Sequence, residues 1–149
     1  MAQNDPRVLI IEDHDVLRAM LFTILRHQPL GVDTAESAAE AMAKVMGCDY
    51  ALILIDMNLA NEEAETFIKE FQAARPESTT FIIAVRDPGK EVFIDPEIVI
   101  AVLNKPLEID TLAEVVRECA IAVPPPEDPL TCPPAESDTT YDGESTLTN

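Results

Sequence analysis

Positive charge is what this chain has least of. Ten Lys and Arg stand against 28 Asp and Glu in 149 residues, a formal net charge of −18. Nucleic-acid binding needs clustered cations to neutralise phosphates, so that class is excluded. An anionic membrane surface is excluded for the same reason. Glycine is scarce as well. Gly31, Gly47, Gly89 and Gly143 never fall into a Gly-x4-Gly-Lys pattern, which rules out a P-loop nucleotide site. The cysteines, Cys48, Cys119 and Cys132, are odd in number and lack the paired spacing of a zinc site. That pattern predicts reduced thiols and a cytoplasmic location. No apolar run approaches membrane-spanning length, and Met1 to Pro6 shows no basic segment followed by an apolar one.

What the chain does have is a set of short apolar runs that end on charge. Val8-Leu9-Ile10-Ile11 leads into Glu12 and Asp13. Ala51-Leu52-Ile53-Leu54-Ile55 leads into Asp56. Val99-Ile100-Ala101-Val102-Leu103 leads toward Lys105. Uniformly apolar runs of this length fit strands covered on both faces, as in a parallel sheet. Ligand sites in such sheets lie beyond the carboxyl ends of the strands. Three carboxylates and one ammonium are thereby directed at one sheet edge. The acids would repel one another without a cation among them, and hard oxygen ligands suit Mg²⁺ with room left for a phosphoryl group.

Between the runs lie helical signals. Asp15 is expected to cap a helix running to about Arg26, with Leu17, Leu21, Ile24 and Leu25 on one side. Gly31 to Ala35 reads as a weak second strand. Ser37 and Glu40 form a capping-box signature for a helix through Met46. Asn61 is the expected cap of a helix ending near Ala74, before Arg75-Pro76. Thr80 to Val85 and Ile98 to Leu103 are the fourth and fifth strands, and a last helix spans about Ile109 to Ala122. Pro88, Gly89 and Pro96 fill the interval where another helix would fit, so the fourth helix of the repeat is predicted to be short or missing. Met20, Met42, Met46 and Cys119 read as core residues. The alternation gives an α/β domain over residues 7–123 with helices on both faces of the sheet, preceded by a short extension over residues 1–6. From Pro124 to Asn149 the chain is rich in proline, carries six acids and has no Lys or Arg. That composition predicts a disordered acidic tail, and its negative charge disfavours packing on an acidic domain.

Glu12-Asp13, Asp56 and Lys105-Pro106, each after its strand, resemble the CheY-like receiver domain of bacterial two-component response regulators over roughly residues 7–122. The resemblance implies a flavodoxin-like, doubly wound five-stranded sheet in the order 2-1-3-4-5. It implies that Asp56 is the phosphoacceptor, attacking a phosphohistidine to form an acyl phosphate. Asp13 and Asp56 would bind Mg²⁺ directly, with Glu12 acting through water and the backbone carbonyl of Asn58 as a further ligand. Lys105 would pair with Asp56 and then with the phosphoryl oxygens. The turn at Pro106 would suit a cis bond. The partners implied are a histidine kinase or a histidine phosphotransfer protein, and a downstream protein target.

The chain also departs from that pattern. A Thr or Ser expected at the end of strand four is Val85, and a Tyr or Phe expected on strand five is Val102. The usual relay from phosphate to output is thus rewritten, and Arg86 is a candidate substitute for the missing hydroxyl. A stand-alone phosphoacceptor signalling by protein contact, and not an enzyme, is the leading expectation. A phosphorylation-independent receiver-like binding module is the alternative, favoured by Val85 and Val102. An aspartate-nucleophile phosphatase fits poorly, because Asn58 stands where such enzymes place a second Asp. Any homodimer is expected to use a surface other than the fourth-helix, fifth-strand, fifth-helix face. His14 reads as a surface residue at the mouth of helix one and His27 as a helix-end residue.

Overall fold

The computed structural model describes residues 5–138 of the chain. Five parallel strands form one sheet in the order β2-β1-β3-β4-β5: β1 Arg7–Ile11, β2 Gly31–Ala35, β3 Leu52–Asp56, β4 Phe81–Arg86 and β5 Val99–Asn104. This is the doubly wound order expected. Four helices connect or follow them: α1 Asp15–Arg26, α2 Ala38–Gly47, α3 Glu63–Ala74 and α4 Ile109–Ala122. Side chains alternate across each strand, so the sheet has two cores. Leu9, Ile11, Ile53, Ile55, Ile82 and Ala84 pack under α2 and α3. Val8, Ile10, Leu52, Leu54, Ile83 and Val85 pack under α1 and α4. The central strands are buried on both faces, which is why their sequences read as unbroken apolar runs.

Strand β5 departs from that rule. No helix forms between β4 and β5, where Pro88 and Pro96 deny backbone donors and Gly89 takes φ 81°. One face of the edge strand is left without a cover. Ile100 and Val102 are 46% and 36% exposed, although the run itself reads as fully covered.

Local capping also differs from expectation in places. Ser37 caps α2 as anticipated, its Oγ accepting from the Glu40 N–H at 3.1 Å. Helix α1 is capped by His14, not Asp15, through Nδ1 accepting from the Leu17 N–H. Asn61 is not a cap. It and Glu62 both take φ 57°, forming a tight turn before α3, and α3 begins with no side-chain cap. Of the methionines, Met20 and Met46 are about half exposed and Met42 packs against the α2/α3 core. Cys119 packs partly buried against the other core as a free thiol.

The largest departure concerns the C-terminal segment. Residues 124–138 do not stand apart as a disordered tail. The chain leaves α4, passes the amino-terminal ends of the strands near Thr79 and Asp49, and lies along the outer edge of β2, and Cys132 forms a disulfide with Cys48. The repulsion expected of an acidic tail is met locally by cations: Lys44 pairs with Glu136 and Arg7 donates to the carbonyl of Pro133. The disulfide likewise replaces the reduced thiols expected at Cys48 and Cys132. The rest of the predicted tail, residues 139–149, and residues 1–4 of the predicted extension lie outside the described residues. Among the described residues no helix is long and apolar enough to cross a membrane.

Candidate functional site

The carboxyl ends of β1 and β3 are adjacent because β1 pairs directly with β3, Ile11 opposite Ile55. Glu12 and Asp13 therefore emerge beside Asp56. One carboxylate oxygen from each of the three lies within 4.8 Å of the others. Asp56 is buried, and both of its oxygens are engaged. Oδ1 accepts from the Asn58 N–H at 2.8 Å, and Oδ2 accepts from Lys105 Nζ at 2.8 Å. Lys105 arrives directly from the end of β5, two strands away, and is joined to Pro106 by a cis bond. Asp13 is exposed and accepts from the Ala60 N–H at 3.3 Å, tying the β1 loop to the β3 loop.

Glu12 is the anomaly of the group. It is 1% exposed, its Oε2 accepts from the His14 N–H, and its buried Oε1 has no partner among the described residues. Burial, then the hydrogen bond and charge of Asp56, push the Glu12 carboxyl up to about 8. A buried glutamate with one orphaned oxygen, grouped with two further carboxylates, is the donor set a hard divalent cation takes. Glu12, Asp13 and Asp56 could thus hold a metal ion.

One residue in the site carried no signal in the sequence. Asp87 Oδ1 accepts from Lys105 Nζ at 2.9 Å, so the ammonium is shared between Asp56 and Asp87. The Asp87 N–H donates to Asn58 Oδ1 at 2.7 Å, and Lys90 Nζ lies 3.0 Å from its other oxygen. The bonds from Lys105 and Lys90 hold the Asp87 carboxyl below its usual range. Burial pulls the Lys105 ammonium down, but its bonds to Asp56 and Asp87 outweigh this and raise it. Asp87 sits in a loop that begins only where β4 ends, and nothing in its neighbours in sequence marks it.

Val85 stands directly opposite Asp56 in the β3/β4 register and is buried in the α1/α4 core, offering no donor to the site. Val102 pairs with Ala84 on the uncovered face of β5. Arg86, the candidate substitute donor, is engaged elsewhere: its Nε donates to Asn104 Oδ1 on the neighbouring strand at 2.8 Å.

The sequence model of the response regulator receiver domain matches residues 8–117. This chain belongs to the response regulator receiver domain family. Receiver domains of this kind serve phosphorelay signalling. Its curated relatives include the transcriptional regulatory protein ResD of Bacillus subtilis, 28% identical over 88 residues, or 59% of this chain and 35% of ResD. A protein-glutamate methylesterase/protein-glutamine glutaminase of Anaeromyxobacter dehalogenans is 30% identical over 87 residues, or 58% of this chain and 25% of that protein. The receiver thus spans about a third or less of these relatives. Among solved structures, a CheY-like receiver domain from Methylobacillus flagellatus superposes with a TM-score of 0.68 at 22% identity, covering 76% of this chain and 98% of the other. The response regulator TrrA of Thermotoga maritima, solved with Mg²⁺ and BeF, gives 0.66 at 21% identity, covering 76% and 98%. Such receivers have the fold described above.

Proposed function

We propose that Asp56 of this receiver domain accepts a phosphoryl group from the phosphohistidine of a histidine kinase or phosphotransfer protein. The observation that carries the reading is the convergence at one sheet edge: Asp56 held by Lys105 at 2.8 Å, with Glu12 and Asp13 in carboxylate range. A carboxylate oxygen of Asp56 attacks phosphorus, a P–O bond forms, and the P–N bond to the donor imidazole breaks with its electron pair staying on nitrogen. Lys105 follows the charge from the Asp56 carboxylate to the new phosphoryl oxygens. Glu12, Asp13, Asp56 and the Asn58 carbonyl would hold Mg²⁺, which supplies charge neutralisation of the transferring group when bound. The TrrA structure, which holds Mg²⁺ and BeF, supports that assignment by likeness of fold. The acyl phosphate then alters binding to a protein target.

The test is incubation with acetyl phosphate and Mg²⁺, followed by intact mass spectrometry, beside Asp56→Ala. One phosphoryl group is expected, dependent on both Mg²⁺ and Asp56. A second reading, a receiver-like binding module that is never phosphorylated, draws on Val85 and Val102. It prevails if no adduct forms and beryllofluoride with Mg²⁺ leaves the amide spectrum of the domain unchanged.

A further inference from the structure

Strand β2 is an edge strand, paired only with β1. The amides of Val32 and Thr34 face outward from that edge, where unpaired groups ordinarily meet water or another chain. Here they meet the chain's own C-terminal segment. The Val32 N–H donates to Ser137 Oγ at 3.2 Å and the Thr34 N–H to Glu136 Oε2 at 3.2 Å. Thr34 Oγ1 donates to Glu136 Oε1 at 2.9 Å, and the Glu136 N–H donates to Asp33 Oδ1 at 2.8 Å. Lys44 Nζ bridges Glu136 and the Thr34 carbonyl. Further back, the Leu130 N–H donates to Asp49 Oδ2 at 2.7 Å. Ala135 is buried against Gly31, at van der Waals distance from where a Cβ on residue 31 would stand.

These contacts are almost all polar. Each exchanges a bond with water and returns little net free energy, while ordering a polar, proline-rich segment costs conformational entropy at every residue. The apolar burial is slight, chiefly Ala135 and the half-buried Cys132. The covalent link from Cys132 to Cys48 supplies what the contacts lack. It spans 84 residues and ties the segment to the end of α2, turning docking into a local event.

We propose that residues 130–138 form a latch over the outer edge of β2, and that thiol–disulfide exchange at Cys48–Cys132 opens and closes it. The two sulfurs differ in access: Cys48 is 3% exposed, whereas Cys132 is half-buried at the surface. A dithiol reductant attacks Cys132 Sγ, the S–S bond breaks, and Cys48 leaves as a thiolate that takes up a proton. The second thiol of the reductant then releases Cys132 and leaves as a disulfide, two electrons having passed to the protein. A small-molecule disulfide closes the latch by the reverse exchange. The open form presents the Val32 and Thr34 amides and the Lys44 ammonium as a strip of donors. This inference is independent of phosphorylation at Asp56.

The experiment combines thiol counting with amide exchange on the full chain. After treatment with oxidised glutathione, denaturing alkylation is expected to label one thiol, Cys119, and after dithiothreitol all three. Hydrogen exchange at Val32 and Thr34 is expected to speed up by about tenfold or more on reduction, and equally in Cys132→Ser, with the β1 and β3 amides unchanged. A Glu136→Gln, Ser137→Ala double variant keeps every thiol but loosens docking. Its disulfide is expected to be less populated than wild type in one glutathione buffer. Three labelled thiols after oxidation would overturn the proposal. So would unchanged exchange at Val32 and Thr34 in both the reduced protein and Cys132→Ser.

Discussion

Lys105 divides its ammonium between Asp56 and Asp87, at 2.8 and 2.9 Å. A group so placed has two carboxylates to satisfy before it can follow charge onto a phosphoryl oxygen. Removing one of them frees the lysine and takes a negative charge from an already acidic edge. Asp87→Asn is therefore expected to take up phosphate from acetyl phosphate about three- to tenfold faster than wild type. Arg86→Ala is expected to stay within about twofold, because the guanidinium is spent on Asn104 and not on the site. Time-resolved intact mass of both variants checks this, and equal rates for Asp87→Asn and wild type would remove Asp87 from the chemistry. The two residues also differ in legibility. Asp56 was visible in the sequence because it ends an apolar strand beside a second such strand ending in acids. Asp87 was not, because only the juxtaposition of the β4 and β5 ends brings it to Lys105.

At the scale of elements, the strained feature is the turn between β3 and α3. Asn61 and Glu62 both occupy the left-handed region, which costs a residue with a side chain about 1–2 kcal/mol. Asparagine tolerates it better than glutamate. The Glu62 side chain makes no capping bond, and the local bond at this residue, Thr66 Oγ1 donating to the Glu62 carbonyl at 3.2 Å, uses only its backbone. Glu62→Gly is expected to stabilise the domain by roughly 0.5–1 kcal/mol, the relief of strain less the added freedom of the unfolded chain. Urea denaturation checks the value, and a destabilised variant would mean that the Glu62 side chain holds the loop in another way. The sequence suggested a cap at Asn61 because asparagine serves both as cap and as left-handed turn residue, and only the path of the chain chooses between them. Ser37 offered no such choice, since its capping bond reaches only three residues ahead. The missing helix before β5 was legible for a similar local reason, two prolines and a glycine. Its consequence, the bare face at Ile100 and Val102, was not.

For the molecule as a whole, the β2 edge joins parts far apart in the chain. Asp33 Oδ2 accepts from Arg7 Nε at 3.0 Å and from the Tyr50 hydroxyl at 2.7 Å, while Glu136 sits on Lys44. Burial, then the hydrogen bond to Asp33, raises the Tyr50 hydroxyl far above its ordinary value near 10. For Lys44, burial alone would lower the ammonium, but Glu136 and its neighbours outweigh it and raise it. Both groups stay protonated in the folded chain at a pH where the unfolded chain loses its protons. Their contribution is complete below about 10 and is lost as pH rises through the folded values, so stability is expected to fall above about pH 10. Thermal melts between pH 8 and 11 test this. In Tyr50→Phe the fall is expected to be shallower, and an equal slope in the two proteins would mean that other groups set it.

Taken by itself, the sequence determined the β-α alternation, the sheet order through its family resemblance, the break before β5 and the grouping of Glu12, Asp13, Asp56 and Lys105. These follow from short-range rules: apolar runs, turn residues, and the tendency of parallel strand ends to converge. Tertiary structure decided the partner of Lys105, the engagement of Arg86, the uncovered face of β5 and the course of residues 124–138. An acidic, proline-rich composition argues for a solvated tail when only average charge is counted. The three-dimensional fold instead offers that tail one lysine, one arginine, two outward amides and a cysteine, all within reach of a single strand edge. Composition averages over position, and docking depends on where the few complementary groups stand.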